Sequence, residues 1–239
     1  MSADVGRGRE YTVAVAGQPN CGKSTTFNAL TGARQFVANY PGVTVEKRVG
    51  AFAIDGDRLT VVDLPGTYSL TSYSLEERVA RDFLLDEQPD VVLNVIDASN
   101  LERNLYLTFQ LLEMELRVVV GLNMMDIASG RGLDIDVERL SDELGVPVVP
   151  TISNRGKGRQ RLRSVLHQTC LDSPAGASRF HLDYGAALEA YLGPLEEEIA
   201  GFMDIATSLP ARWLAVKLLE NDLDAAKRIS TLCGGEAAS

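Results

Sequence analysis

The chain has 239 residues, 45% hydrophobic and 23% charged, with a formal net charge of −10. That length allows one domain, or one domain and a small addition, and the mixture is that of a folded globular chain. The acidic balance argues against a broad nucleic-acid-binding face, which is normally basic. No run reaches the roughly 18 apolar residues of a membrane helix, and residues 1–10 lack the apolar core of a signal peptide. The chain as given is therefore expected to be soluble and cytosolic, with a membrane segment free to follow in a longer parent protein.

Residues 12–16 (TVAVA) form a short β-branched run ending at glycine, a buried strand. Directly after it comes GQPNCGKS, a match to G-x-x-x-x-G-K-[ST], and residues 24–30 then read as a helix. Strand, glycine-rich loop and helix start are the context this phosphate-binding motif needs. Its glycines let backbone N–H groups turn inward around a β-phosphate, and the helix N-terminus adds positive potential. Gly17, Gln18, Pro19, Asn20, Cys21, Gly22, Lys23, Ser24 and Thr25 are thus the expected phosphate-side residues. Lys23 is expected to bridge β- and γ-phosphate oxygens, and the Ser24 hydroxyl to ligate magnesium, a hard ion that takes oxygen.

Residues 34–46 read as a loop marked by Pro41-Gly42. Thr44 is the candidate there for contact with magnesium and the γ-phosphate; Thr31 lies too close to the first helix. Release of such a loop on phosphate loss is an order–disorder switch. Residues 45–53 and 58–62 flank Asp55-Gly56-Asp57 as a hairpin. The second strand runs into Asp63-Leu64-Pro65-Gly66, where Asp63 can hold magnesium through a water and the Gly66 N–H can sense the γ-phosphate.

Residues 91–96 form a buried strand, 101–115 an amphipathic helix, and 118–122 a further strand. That strand ends in Asn123-Met124-Met125-Asp126. A carboxylate can accept from both guanine N1 and N2, a donor pair adenine lacks. Asp126 is therefore the base-selecting residue, and Asn123 the tie between base edge and phosphate loop. Met124 stands where GTPases usually carry lysine, and can cover a ring face by dispersion. Residues 137–144 read as a helix and 146–151 as the last strand. Ser153, Asn154 and Arg155 follow, where a backbone N–H can reach guanine O6. Residues 160–169 read as helical. Alternating strands and helices predict an α/β fold: a P-loop, Ras-like, mostly parallel sheet with one antiparallel edge strand. Ligands sit beyond the carboxyl ends of such strands.

The composition shifts at residues 172–178 (DSPAGAS), a linker, and helices follow at 184–202 and 211–232, divided by Ser208-Leu209-Pro210. The expected division is a G domain over 1–171 and a small all-helical domain over 172–239, docked on the first or acting as a lever to something beyond it.

No glutamine follows Gly66; Thr67 and Tyr68 stand there, so the usual water-orienting side chain is missing and Thr67 is left to position water through its backbone or hydroxyl. Asn20 either stabilises the loop turn or, with carbonyls from residues 39–42, holds a potassium ion that offsets charge in the transition state. Asn20, Lys23, Thr44, Gly66 and Thr67 are thus the expected hydrolytic set. Cys21, Cys170 and Cys233 are widely spaced and lack a Cys-x-x-Cys pair, which argues against a disulfide framework or zinc site. Cys21 reads as a small residue that fits the loop rather than a redox switch. His167 and His181 read as solvated or capping, and Glu196-Glu197-Glu198 as a solvated helix face rather than an iron site.

Together, GQPNCGKSTTFNALTG, ANYPGVTVE, DLPGTYSLTSYSLEE, IDASNLERNLYLTFQLLE and NMMD closely resemble the ferrous iron transport protein B family, and RWLAVKLL at residues 212–219 is similar to its helical domain. The resemblance covers roughly residues 11–224. It implies a slow GTPase that releases GDP rapidly, with magnesium and GTP/GDP at the site and potassium stimulation through Asn20. It also implies a non-lysine residue at the place of Met124. Further implications are attachment to a membrane transport domain on the cytoplasmic face of a bacterial inner membrane and small accessory proteins of the iron system as partners; a homo-oligomer is left open, because the sequence does not give the oligomeric state. An RNA-directed assembly GTPase and an ATP-using P-loop kinase are the rival readings. The first would carry a basic RNA-binding domain, and the second would not need Asp126.

Overall fold

The computed structural model describes residues 8–32, 35–71, 73–172, 182–202 and 209–232. Seven strands form one sheet in the order β2-β3-β4-β1-β5-β6-β7. They are β1 (Glu10–Gly17), β2 (Gln35–Asn39), β3 (Glu46–Ile54), β4 (Asp57–Asp63), β5 (Val91–Asp97), β6 (Val118–Asn123) and β7 (Val148–Pro150). β1 pairs in parallel with both β4 and β5, and β5-β6-β7 continue in parallel, whereas β2-β3 and β3-β4 are antiparallel. The strand order reverses direction about β1, so the carboxyl end of β1 opens at the topological switch point, where α/β folds bind ligands.

The period of two in β1 divides the core. Val13 and Val15 point to the face covered by α1 (Lys23–Thr31) and, once the chain returns, by α6 (Arg159–Leu171). Ala14 and Ala16 point to the opposite face, over which α2 (Leu75–Asp86) and α3 (Leu101–Glu113) lie. Two short helices, α4 (Met125–Gly130) and α5 (Val137–Leu144), link β6 to β7.

Residues 35–39, read as part of a loop, form the edge strand β2, so the sheet has two antiparallel pairs rather than one antiparallel edge strand. The alternation of Gln35 to Asn39 is too short to show against the Pro41-Gly42 signal. The helix α2 forms in a stretch with no clean apolar period. Its start is a capping box: Ser74 Oγ accepts from Glu77 N at 3.1 Å and Glu77 Oε2 accepts from Ser74 N at 3.3 Å. The helix read over 211–232 is two helices, α8 (Ala211–Leu219) and α9 (Leu223–Leu232). Asn221 sits at φ 57°, and Asp222 Oδ1 accepts from Asp224 N at 3.0 Å and Ala225 N at 3.1 Å, so one side chain starts a new helix where the other leaves the old one.

With α7 (Ala186–Phe202) these helices rest on the α2–α3 face, where Leu192, Ile199, Trp213, Leu214 and Ala225 join the same buried cluster as Val79, Phe83 and Leu107. Polar contacts fasten the same seam. Arg81 of α2 donates to Asp222 at 2.7 Å and Asp224 at 3.0 Å, and Arg228 of α9 reaches Asp86 at 2.7 Å and Asp82 at 3.0 Å. Most of the linker (173–178), His181, Ser208 and Cys233 lie outside the described residues.

His167 is neither solvated nor a helix cap. It is buried at the far end of the sheet, Nε2 2.8 Å from Asp57 Oδ2, with its ring edge-on to Tyr11. Hydrogen bonds from His167 and the Arg9 N–H hold the Asp57 carboxyl below its ordinary range. Among the described residues no group of three or more His, Cys, Asp or Glu side chains could hold a metal ion, and no helix is long and apolar enough to cross a membrane.

Candidate functional site

The loop between β1 and α1 needs its glycines. A Cβ at Gly17 would lie 2.6 Å from the Val95 carbonyl oxygen, and one at Gly22, where φ is 89°, would lie 2.2 Å from Asn123 Nδ2. Asn20 also takes a left-handed backbone, φ 68°, which asparagine tolerates better than most residues. These kinks turn the loop back so that α1 starts at Lys23. The first N–H groups of a helix have no partner within it, and here they open at the carboxyl end of β1.

Lys23 makes a salt bridge with Asp63 at the end of β4, and both side chains are about nine-tenths buried. Parallel pairing of β1 with β4 places Asp63 beside Val15, and Leu64 N donates to the Val15 carbonyl at 3.0 Å. Gly66 lies against Pro19, and the Thr67 N–H donates to the Gly17 carbonyl at 3.3 Å. The Thr67 backbone donor is therefore committed to the loop, and only its hydroxyl remains for a water. Gln18 turns away from the loop mouth: its side chain is buried and donates to the Arg103 carbonyl at 2.6 Å. Arg103 in turn covers the Tyr68 ring at 4.5 Å. Ser24, Thr25, Pro19 and Asn20 are exposed at the mouth. Burial pushes the Cys21 thiol up to about 11, so it is a neutral packing group at physiological pH and not a redox thiolate.

Asn123 joins the two halves of the site. Its Nδ2 donates to the Cys21 carbonyl at 3.0 Å, and its Oδ1 accepts from Ser153 N at 3.0 Å and Thr151 Oγ1 at 3.3 Å. Met124 adopts φ 61°, which turns the chain into α4 with Asp126 in its first turn. The Asp126 carboxylate lies 3.7 Å from Arg155 Nη2. In the turn Ser153–Arg155 the N–H of Ser153 is taken by Asn123, while Arg155, Gly156 and Lys157 donate to backbone carbonyls. Among the described residues the Asn154 N–H is the donor of this turn that remains open.

Thr44 is not gathered in with the rest. It is exposed in a turn closed by Tyr40 N to Val45 O at 2.9 Å and Val43 N to Tyr40 O at 3.3 Å. Among the described residues no hydrogen bond joins it to Lys23, Ser24 or Asp63. The residue that does tie this segment to the site is Tyr40, whose buried hydroxyl donates to the Asp63 carbonyl at 3.2 Å. Desolvation pushes its phenol well above the ordinary value. Sequence reasoning missed it because nothing local marks an aromatic beside Pro41-Gly42 as buried.

A phosphate-sized loop at the switch point, bonded through one asparagine to the Ser153 turn, with a carboxylate suited to a purine edge three residues after that asparagine, places the fold in the G-domain class of P-loop proteins. The model of the family "Ferrous iron transport protein B" matches residues 11–166, and that of the "FeoB cytosolic helical domain" matches residues 184–237. The Fe(2+) transporter FeoB of Salmonella choleraesuis is 44% identical over 96% of this chain, which spans 29% of that relative's length. A fusion of Fe(2+) transport protein A with Fe(2+) transporter FeoB from Porphyromonas gingivalis is 44% identical over 90% of this chain and 26% of its own length. The cytosolic domain of the T. maritima FeoB iron transporter matches in its GDP form I with a TM-score of 0.86 at 38% identity, covering 98% of this chain and 89% of that one. Its GMPPNP form matches at 0.85 and 38% identity, covering 96% and 88%. The chain belongs to the ferrous iron transport protein B family and carries its G domain and helical domain.

Proposed function

We propose that this chain binds GTP and GDP with magnesium, hydrolyses GTP slowly, and serves as the nucleotide-dependent regulatory part of a longer ferrous iron transporter. The observation that carries the reading is the Asn123 bridge, which ties the Cys21 carbonyl of the phosphate loop to the Ser153 N–H, with Asp126 three residues after Asn123 and the open Asn154 N–H one residue after Ser153. The GDP and GMPPNP forms of the T. maritima relative support it. The division into units 1–171 and 172–239, and attachment to a membrane part on the cytoplasmic face of a bacterial inner membrane, belong to the same proposal. So do accessory proteins of the iron system as partners, self-association, and the absence of nucleic acid among its ligands.

The donors present fit magnesium: the Ser24 hydroxyl at the start of α1 and the Asp63 carboxylate, which already holds a cation in the form of the Lys23 ammonium. Thr44 would join them only after its turn opens. Bound magnesium would neutralise charge on the β- and γ-phosphate oxygens. The chain itself supplies the N–H groups at Gly22 and Lys23, the Lys23 charge, the Gly66 N–H toward the γ-phosphate and the Thr67 hydroxyl toward water. Ser24→Ala removes one oxygen ligand. It should lower the magnesium-dependent gain in GDP affinity about tenfold and leave binding in EDTA nearly unchanged. An unaltered magnesium dependence in calorimetry would exclude the role.

For potassium the fit is partial. Asn20 is exposed and offers an amide oxygen, and the Tyr40 carbonyl, a donor expected from residues 39–42, already accepts from Val43 N and keeps one lone pair. Potassium should nevertheless speed GTP hydrolysis by about tenfold over sodium in the parent and not in Asn20→Ala. Equal rates in the two salts would leave Asn20 a purely structural residue of the loop.

A further inference from the structure

The turn at Ser153 is gripped from two sides. One grip is the Asn123 carbonyl on its N–H, already visible in the Asn-x-x-Asp pattern. The other comes from Thr26, in the first helix, to which neither the phosphate-loop pattern nor the base-binding pattern assigns a part. Thr26 is 2% exposed; its Oγ1 lies 2.8 Å from Ser153 Oγ and 3.0 Å from the Gly22 carbonyl oxygen.

A hydroxyl carries one proton, and a carbonyl only accepts. The Thr26 proton therefore goes to Gly22, and Ser153 gives its own proton to Thr26. The result is a directed relay, Ser153 to Thr26 to the carbonyl of the residue just before Lys23. Back-bonding of threonine to the carbonyl four residues earlier is ordinary in helices. Here the same oxygen also accepts a bond from across the site, joining segments 127 residues apart in sequence. It runs beside the Asn123 bridge and ends one residue further along the same loop, at Gly22 rather than Cys21.

We propose that Thr26 is a positioning residue for the nucleotide: it pins Ser153, and with it the Asn154 N–H, to the phosphate loop, and so slows nucleotide release. The inference rests on the guanine-nucleotide reading above. A nucleotide touching both Gly22–Lys23 and Asn154 pulls on both ends of one relay. Without the Thr26 hydroxyl only the Asn123 bridge still ties the two ends, and the Ser153 hydroxyl is left facing a methyl group. Release should then speed up while association, set by access to the open loop mouth, stays nearly constant.

The experiment is stopped-flow dissociation and association of fluorescent GDP for the parent, Thr26→Val, Thr26→Ser, Ser153→Ala and the Thr26→Val/Ser153→Ala pair, with amide exchange of residues 152–157 measured on each without nucleotide. Thr26→Val keeps the β-branched shape and removes the hydroxyl. The expected result is release about fivefold faster in Thr26→Val, the factor that one neutral hydrogen bond corresponds to. Association should change less than about twofold, Thr26→Ser should restore the parent rate, and the double variant should release no faster than the faster single variant. Exchange at 152–157 should rise in Thr26→Val. An unchanged release rate in Thr26→Val, or effects that multiply in the double variant, would overturn the proposal. If the parent binds no guanine nucleotide, the functional reading fails on its own. The exchange data then decide the positioning role: faster exchange in Thr26→Val upholds the relay, and unchanged exchange refutes it.

Discussion

Asp126→Asn should lower GDP affinity at least about a hundredfold. In the proposed complex the carboxylate would accept from two donors of the guanine edge, N1–H and the 2-amino group, and hydrogen bonds to an ionised acceptor are each worth about 1.5–3 kcal/mol. An amide of the same shape keeps one acceptor and points an N–H₂ at the other donor, so one bond is lost and a repulsion replaces it. The loss of roughly 2.7 kcal/mol or more is two powers of ten in the dissociation constant. The same chemistry predicts a gain elsewhere. Xanthine has a carbonyl where guanine has the 2-amino group, so the Asn side chain should bind xanthosine diphosphate better than the parent does. Titration of both diphosphates against both proteins reads the effect. A loss of GDP affinity under about threefold, with no gain for the xanthine nucleotide, would move base selection away from Asp126.

Arg81→Met should lower the melting temperature by roughly 10 °C. Arg81 is 1% exposed, and its partner Asp222 is 8% exposed. Taking away one member of a buried pair leaves an uncompensated charge, at a cost of about 3–5 kcal/mol, and each kcal/mol moves the transition of a chain this size by roughly 2–4 °C. Arg81→Met/Asp222→Asn should recover at least about half of the loss, because the amide oxygen still caps α9 and no lone charge remains. The pair also has a pH signature. Burial pushes the Asp222 carboxyl up, but the Ala225 and Asp224 N–H groups and the Arg81 guanidinium together hold it below its ordinary value of 3.8. A lowered carboxylate stabilises the fold above that value, and the contribution is lost as pH falls through the depressed one. The difference between parent and Arg81→Met should therefore shrink below about pH 4. A melting shift within 2 °C at neutral pH would mean that the apolar seam around Trp213 holds the helices on the G domain without the ion pair.

The parts of the site that were legible in the sequence are those where local backbone chemistry dictates residue type. Gly17 and Gly22 are glycines because a Cβ would strike Val95 or Asn123, and Asn123 ends, with Asp126 three residues beyond it, a strand whose apolar run is unmistakable. What stayed hidden depends on contacts distant in sequence. β2 is five residues on an open edge with Phe36 and Val37 exposed, so burial left no pattern to read. α2 carried its capping box in plain view, but Arg81 lies on its buried face, paired with residues 141 and 143 positions later, and a charged residue there breaks the apolar stripe. His167 and Thr26 were invisible for the same reason: their partners, Asp57 and Ser153, are set by the topology of the sheet.

Phosphate release from GTP and from ATP, each with magnesium in potassium chloride, tests the account most directly. The expected result is slow, steady release from GTP and none above background from ATP. Equal release from the two nucleotides, or none from GTP, would contradict it.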